Sequence, residues 1–148
     1  MERAQIEDNL SLLTFPPAAH DLQSLADAGF KSIVNLRQAG EQGEKLSPQA
    51  EAEEARESGL EYLHYPVSPR DLTAENAKDF TARLEQLPAP VAIHCAGGRR
   101  ASLMGLASWA LQNGRDAATA AKRGRDFGLE ISEDDLSPLL DVSGADAR

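Results

Sequence analysis

A short strand, a glycine turn and a strongly helical segment follow one another between residues 91 and 111, and this series constrains the fold more than any other part of the chain. The apolar run at residues 91–93 predicts a buried strand, and residues 103–111 are apolar on nearly every side of a helix, which predicts a buried central helix. A glycine turn that leads into a helix N-terminus presents several backbone N–H groups to an anion. The residues of this turn are His94-Cys95-Ala96-Gly97-Gly98-Arg99-Arg100.

Cys95 is the single cysteine of the chain and stands at the start of this turn. The N–H groups and the helix N-terminus would stabilise its thiolate, which is the nucleophilic form of a cysteine. A lone cysteine at a strand end can also be a small buried hydrophobe. The neighbouring histidine, glycine pair and arginine pair favour a catalytic nucleophile instead. One cysteine excludes an internal disulfide, and the three widely separated histidines show no zinc-ligand spacing, so we predict no metal and no cofactor.

Composition limits the partners of such a site. The 148 residues are enough for one domain over residues 1–148, with a core at about 9–140 and a tail at 142–148 that we expect to fray. The net charge of −9 argues against nucleic acid and anionic lipid, so the basic Arg99-Arg100 pair suits a small anion. We expect no membrane association and a cytoplasmic location, because no apolar run approaches the length of a membrane span and the charged N-terminal residues do not resemble a signal peptide.

Strand and helix patterns alternate along the chain. Strands are predicted at residues 10–13, 32–36, 60–65 and 91–93, and helices at 20–28, 48–58, 73–87, 101–111, 116–125 and 132–140. This order predicts an α/β domain with a central, mostly parallel sheet flanked by helices, in which ligands bind at the carboxyl ends of strands. Arg37 and Cys95 both fall there, and Arg37 and Arg70 could add positive potential at the rim of a pocket. The acidic residues at 51–57 are predicted to form a solvated helix face.

An ordered set of short motifs resembles DUF442, the small bacterial phosphatase-like domain family that also occurs fused to β-lactamase-like hydrolases. The resemblance runs from about residue 9 to residue 140 and implies a three-layer fold similar to that of the cysteine-dependent tyrosine and dual-specificity phosphatases. The motifs are Ala28-Gly29-Phe30, Ile33-Val34-Asn35-Leu36-Arg37, Gly59-Leu60-Glu61-Tyr62, Tyr65-Pro66-Val67, Pro90-Val91, His94-Cys95, Trp109-Ala110, Gly114-Arg115-Asp116 and Gly128-Leu129.

The turn departs from the phosphatase pattern in its length. That pattern is His-Cys, five residues, Arg and then Ser or Thr, whereas Ala101 occupies the arginine position here and Arg100 comes one residue early. The spacing Cys-x4-Arg is the one associated with the small family. The hydroxyl expected after the arginine is also displaced, since Ala101 follows Arg100 and Ser102 comes one residue later. By analogy with rhodaneses, so short a loop would suit a cysteine persulfide.

The resemblance therefore implies two chemistries at the same residues. In a phosphatase, Cys95 would attack phosphorus and form a cysteinyl-phosphate, while the loop N–H groups and Arg100 stabilise the equatorial oxygens. In a rhodanese-like sulfurtransferase, Cys95 would carry a persulfide, and a weak anion-binding module is a third alternative. The partner would be a small anionic substrate, either a phosphate ester or a sulfane sulfur donor. The predicted anion-binding loop comprises His94, Ala96, Gly97, Gly98, Arg99, Ala101 and Ser102 around Cys95 and Arg100.

Several roles stay open at this point. Asp71 is the only carboxylate of the loop that follows the preceding strand, which makes it the candidate general acid, although its position also suits helix capping. Arg99 could substitute for Arg100 or could face solvent. His94 could form backbone hydrogen bonds beneath the loop or could be an ordinary buried histidine.

Overall fold

The fold of the computed structural model, which describes residues 3–140, is the predicted α/β layered domain. Five strands form one sheet, and helices cover both of its faces. The strands are β1 (Arg3–Glu7), β2 (Leu10–Leu13), β3 (Ser32–Asn35), β4 (Glu61–His64) and β5 (Val91–His94). The helices are α1 (Ala19–Asp27), α2 (Pro48–Glu57), α3 (Ala74–Glu85), α4 (Arg99–Asn113), α5 (Ala117–Asp126) and α6 (Glu133–Leu140), with a 3₁₀ turn at Pro69–Asp71.

The sheet order β1-β2-β5-β3-β4 places β5 at the centre. Strands β2, β5, β3 and β4 are parallel, and β5 pairs with β2 on one side and with β3 on the other. The backbone N–H of Leu36 donates to the carbonyl of His94 at 2.9 Å, so the chain that leaves β3 stays beside the chain that leaves β5. The carboxyl ends of these two strands therefore bring Arg37 and Cys95 to the same edge of the sheet.

Two hydrophobic clusters pack on the two faces of the sheet. Consecutive residues of β5 point to opposite faces of the sheet. Ala92 belongs to the cluster that includes α1 and α2, and Ile93 belongs to the larger cluster that includes α3–α6. Helix α4 is buried at every residue from 101 to 110, as its all-round apolar sequence predicts. A strand at the sheet centre and a helix in the core thus hold the two ends of the glycine turn.

Strand β1 is the element that the sequence pattern did not reveal. It pairs antiparallel with β2, burying Ala4 and Ile6 while Arg3 and Gln5 face solvent. That strict alternation is the signal of an edge strand, but the charged residues around it resemble a polar terminus. The tail predicted at 142–148 lies outside the described residues.

Candidate active site

The turn between β5 and α4 depends on a glycine at its end. Gly98 has a φ of 98° and is the N-cap of α4, and a Cβ built on it would lie 3.3 Å from the Cα of Thr14. An L side chain would therefore meet both a left-handed backbone and the neighbouring strand end. The predicted turn, residues 95–100, closes into α4 through the Ser102 N–H, which donates to the Gly98 carbonyl at 2.9 Å.

The sulfur of Cys95 lies on the floor of this turn. The side chain is 1% exposed, and Sγ accepts hydrogen bonds from the backbone N–H groups of Gly98 at 3.2 Å and Ala101 at 3.3 Å. Two backbone N–H donors are thus aimed at the sulfur from the glycine turn and from the first turn of α4. Ala96 is half-buried and Gly97 is exposed, so the outer part of the loop faces solvent.

Arg100 is held in one orientation beside the turn. Its Nη1 and Nη2 donate to the two carboxylate oxygens of Glu41 at 2.7 Å each, and Nη1 also donates to the Val67 carbonyl at 2.9 Å. The paired carboxylate raises the pKa of Arg100, and the nearby Cys95 thiol adds to that rise. The same hydrogen bonds lower the pKa of Glu41. The guanidinium is thus charged, oriented and close to the sulfur.

Arg99 points away from the turn. Its guanidinium is 61% exposed and forms an ion pair with Asp135 of α6 at 3.1 Å. Of the two alternatives for this residue, the structure has the one in which it faces solvent. The neighbouring arginines at the start of α4 therefore have different surroundings, and Arg100 is the one directed toward Cys95.

On the α2 side of the sheet, His94 meets a carboxylate. The ring Nε2 lies 2.6 Å from Oε2 of Glu51, and both side chains are fully buried. The prediction that the acidic residues of α2 form a solvated face is therefore wrong for Glu51, the residue one helical turn before the buried Ala55. It lies on the face of α2 that packs against the sheet, and the pairing with imidazole compensates the loss of water around the carboxylate.

Arg37 is buried beside this pair rather than at a pocket rim. The side chain is 1% exposed, and none of its three guanidinium nitrogens has a hydrogen-bond partner among residues 3–140. Its ion pair is with Glu44, at 3.6 Å. Glu41, Glu44 and Glu51 are the charged neighbours that sequence patterns did not identify, since they come from a polar loop and from an acidic helix.

Asp71 caps the 3₁₀ turn that follows β4. Its carboxylate accepts hydrogen bonds from the Ser68 N–H at 2.9 Å and from the Ser68 hydroxyl at 2.8 Å. These bonds lower the pKa of Asp71. The bond from Arg100 to the Val67 carbonyl brings this segment close to the turn. Of the two roles considered for Asp71, the structure therefore has helix capping.

A cavity of about 300 Å³ lies along the outer side of the turn. It is lined by Thr14, Gly97, Gly98, Arg99, Ser102 and residues 128–131. A larger cavity of about 510 Å³ opens near the carboxyl end of α4, between Leu111 and Leu140, far along the helix from Cys95. The cavity of about 300 Å³ is thus the one lined by residues of the predicted anion-binding loop.

Within residues 3–140, no three potential metal ligands of the His, Cys, Asp and Glu types come together. In the same part of the chain, no helix combines the length and apolar character that crossing a membrane requires. Near Cys95, Arg100 pairs with Glu41, His94 with Glu51 and Arg37 with Glu44.

The sequence matches a known protein family over most of its length. Residues 9–122 match the family model described as "Beta-lactamase hydrolase-like protein, phosphatase-like domain". The beta-lactamase hydrolase-like protein of Agrobacterium fabrum is 29% identical over 131 residues, which are 88% of this chain and 30% of that protein. The chain thus spans less than a third of the length of that relative.

Two solved structures share the fold. A DUF442 protein of Shewanella putrefaciens has a TM-score of 0.74 at 20% identity, over 97% of this chain and 91% of that one. A variant of TpbA from P. aeruginosa in complex with pTyr has a TM-score of 0.65 at 16% identity, over 93% of this chain and 79% of that one. Both similarities extend over more than nine tenths of this chain and concern its fold.

Proposed function

The chain belongs to the phosphatase-like domain family of the beta-lactamase hydrolase-like proteins, and from this premise we propose that it hydrolyses phosphomonoesters through a cysteinyl-phosphate. The observation that carries the proposal is the surroundings of the Cys95 sulfur. Two backbone N–H groups donate to it, and Arg100 is fixed beside it. Charge that develops on a transferred phosphoryl group needs such preorganised donors.

The reaction has two steps. The Cys95 thiolate forms a bond to phosphorus while the ester P–O bond breaks, and the leaving oxygen takes a proton. Water then attacks phosphorus, the S–P bond breaks, and inorganic phosphate leaves together with the regenerated thiolate. The loop N–H groups and the Arg100 guanidinium contact the equatorial oxygens in both steps.

Asp71 is our candidate for the acid that protonates the leaving oxygen. Its segment reaches the site through Val67, but its lowered pKa keeps it ionised near neutral pH in the resting structure. Acid catalysis by this carboxyl would therefore grow as the pH falls toward the lowered pKa. Phenyl phosphate, which has a poor leaving group, should then lose more activity than p-nitrophenyl phosphate in Asp71→Asn, and equal losses would contradict the acid role.

The comparisons favour a phosphate ester over a sulfane sulfur donor as the substrate. The bound molecule in the TpbA complex is phosphotyrosine, and TpbA shares this fold. We accordingly place a small phosphate ester, rather than a long polyanion, above Cys95. The net charge of −9 supports this choice, because it disfavours the approach of a long polyanion.

Hydrolysis of p-nitrophenyl phosphate by wild type and Cys95→Ser tests the proposal. We expect slow turnover that disappears in the variant, stronger inhibition by vanadate than by phosphate, and a phosphate adduct on Cys95 in rapid-quench mass spectrometry. Activity that survives in Cys95→Ser would overturn the proposal. So would thiocyanate formation from thiosulfate and cyanide without vanadate-sensitive phosphatase activity, which would assign a sulfurtransferase.

A further inference from the structure

A group of buried polar side chains lies behind the Cys95 turn, on the α2 face of the sheet. Glu51 and His94 are both fully buried, and their Oε2 and Nε2 atoms are 2.6 Å apart. Neither the remaining oxygen of Glu51 nor Nδ1 of His94 has a hydrogen-bond partner among residues 3–140. A carboxylate removed from water with one contact is costly unless the charge of that contact compensates it.

Other charged and titratable groups face this pair from each neighbouring segment. Strand β3 leads into Arg37, the following loop contributes Glu44 at 3.6 Å from that guanidinium, and β4 contributes Tyr62 and His64. The Tyr62 hydroxyl accepts a hydrogen bond from the Asn35 side chain, and burial, with the charge of Glu51 second, raises its pKa. His64 Nε2 lies 2.6 Å from the Arg37 carbonyl. The phenol is thus neutral, and it lies among two carboxyl groups and one guanidinium.

The group contains as many acidic side chains as basic ones. Glu44 and Glu51 are the acidic members, Arg37 and His94 are the basic members, and each basic side chain pairs with one carboxyl group. Low-dielectric surroundings disfavour an unbalanced charge. His94 directly precedes Cys95, so a positive ring there would favour the thiolate.

We propose that Glu51 is a positioning residue for Cys95: it fixes the His94 ring and maintains the positive charge behind the turn. The inference rests on the proposed function, because it gives Glu51 a purpose only if Cys95 is the nucleophile. The exposed carboxylates of the same helix lack this contact, and Glu53 is one of them. Glu53→Gln is therefore a matched control, because it makes the same substitution on the exposed side of α2 rather than at the buried pair.

The rate of Cys95 alkylation by iodoacetamide, measured against pH, tests the proposal without any phosphate substrate. We expect Glu51→Gln to react about tenfold more slowly than wild type near pH 6 and equally fast once the pH is high enough to ionise all of the thiol. Glu51→Asp, which keeps the charge, should recover most of the difference. Glu53→Gln should follow the wild-type profile throughout.

Two outcomes would overturn the proposal: a Glu51→Gln profile that coincides with wild type, and a loss of the same factor at every pH, which would indicate a structural role only. Circular dichroism establishes that the variants fold. If Glu51→Gln does not fold, His94→Asn removes the same pair and must show the same shift toward higher pH. Because alkylation reads the thiol directly, a phosphatase activity that persists in Cys95→Ser would refute the proposed function without affecting this result.

Discussion

Two acid–base pairs of similar length flank Cys95, and they differ in their access to water. The His94–Glu51 pair is 2.6 Å long and fully buried between the sheet and α2. The Arg100–Glu41 pair is 2.7 Å long, but about a fifth of each side chain is exposed, and Glu41 comes from a loop rather than from a helix. One pair is fixed by the core, and the other lies where a substrate must arrive.

The difference in burial separates what the two pairs can contribute. Removing one partner of a fully buried pair leaves an uncompensated polar or charged group in the core, whereas water can reach the remaining partner of a partly exposed pair. The buried pair should therefore affect stability and the state of the thiol. The partly exposed pair should affect substrate binding and turnover.

The largest effect is expected on the free energy of unfolding, and it distinguishes the glutamate of the buried pair from that of the partly exposed pair. Glu51→Ala should lower the free energy of unfolding by about 3–5 kcal/mol, since it leaves His94 buried without its partner. Glu41→Ala should lower it by about 0–1 kcal/mol. Urea unfolding at neutral pH measures both values, and equal losses would show that burial does not distinguish these pairs.

Next in size is the effect of the two arginines on turnover. Arg100→Ala should cost about 2–4 kcal/mol of transition-state stabilisation, or two to three orders of magnitude in kcat/KM, because a preorganised contact to the equatorial oxygens is lost. Arg99→Ala should change little, as its guanidinium faces Asp135 and solvent. A larger loss at Arg99 would mean that the arginine of the loop is misassigned.

The contrast between these pairs also explains what sequence patterns could predict. The turn, Cys95 and the buried helix α4 follow from apolar runs and glycines within a few residues of one another. Glu41 and Glu51 are separated from their partners by 59 and 43 residues. The hydrophobic periodicity of a single helix or strand does not indicate contacts at such separations. In α2 the surplus of glutamates hid the one that faces inward, although its spacing from Ala55 was compatible with a buried stripe. Strand β1 was missed for the same reason, since charges masked its alternation.

A smaller effect on turnover is expected for Glu41→Gln. The amide keeps the shape of the carboxylate but removes its charge and one acceptor oxygen, so the guanidinium is held less firmly. We expect about a tenfold lower kcat/KM for p-nitrophenyl phosphate, equivalent to about 1.4 kcal/mol. Steady-state kinetics provides the measurement. Faster turnover in the variant would show instead that Glu41 competes with the substrate for Arg100.

The smallest effect is the pH dependence of the stability that the Arg100–Glu41 pair provides. Hydrogen bonds from Arg100 lower the pKa of Glu41 in the folded chain, so the unfolded chain binds a proton there at higher pH than the folded chain does. The contribution is therefore complete above the ordinary glutamate pKa of about 4.5 and is lost as the pH falls through the lowered value.

Urea unfolding of wild type and Glu41→Gln at a series of pH values isolates this contribution as the difference between the two proteins. We expect a constant difference from about pH 7 to pH 5 and a decline below that range, with a total of less than about 1 kcal/mol for a pair that water can reach. Added salt should reduce the plateau, since the charges are accessible to ions. A difference that grows on acidification would contradict the assigned ion pair, because protonating Glu41 can only weaken its contact with a guanidinium.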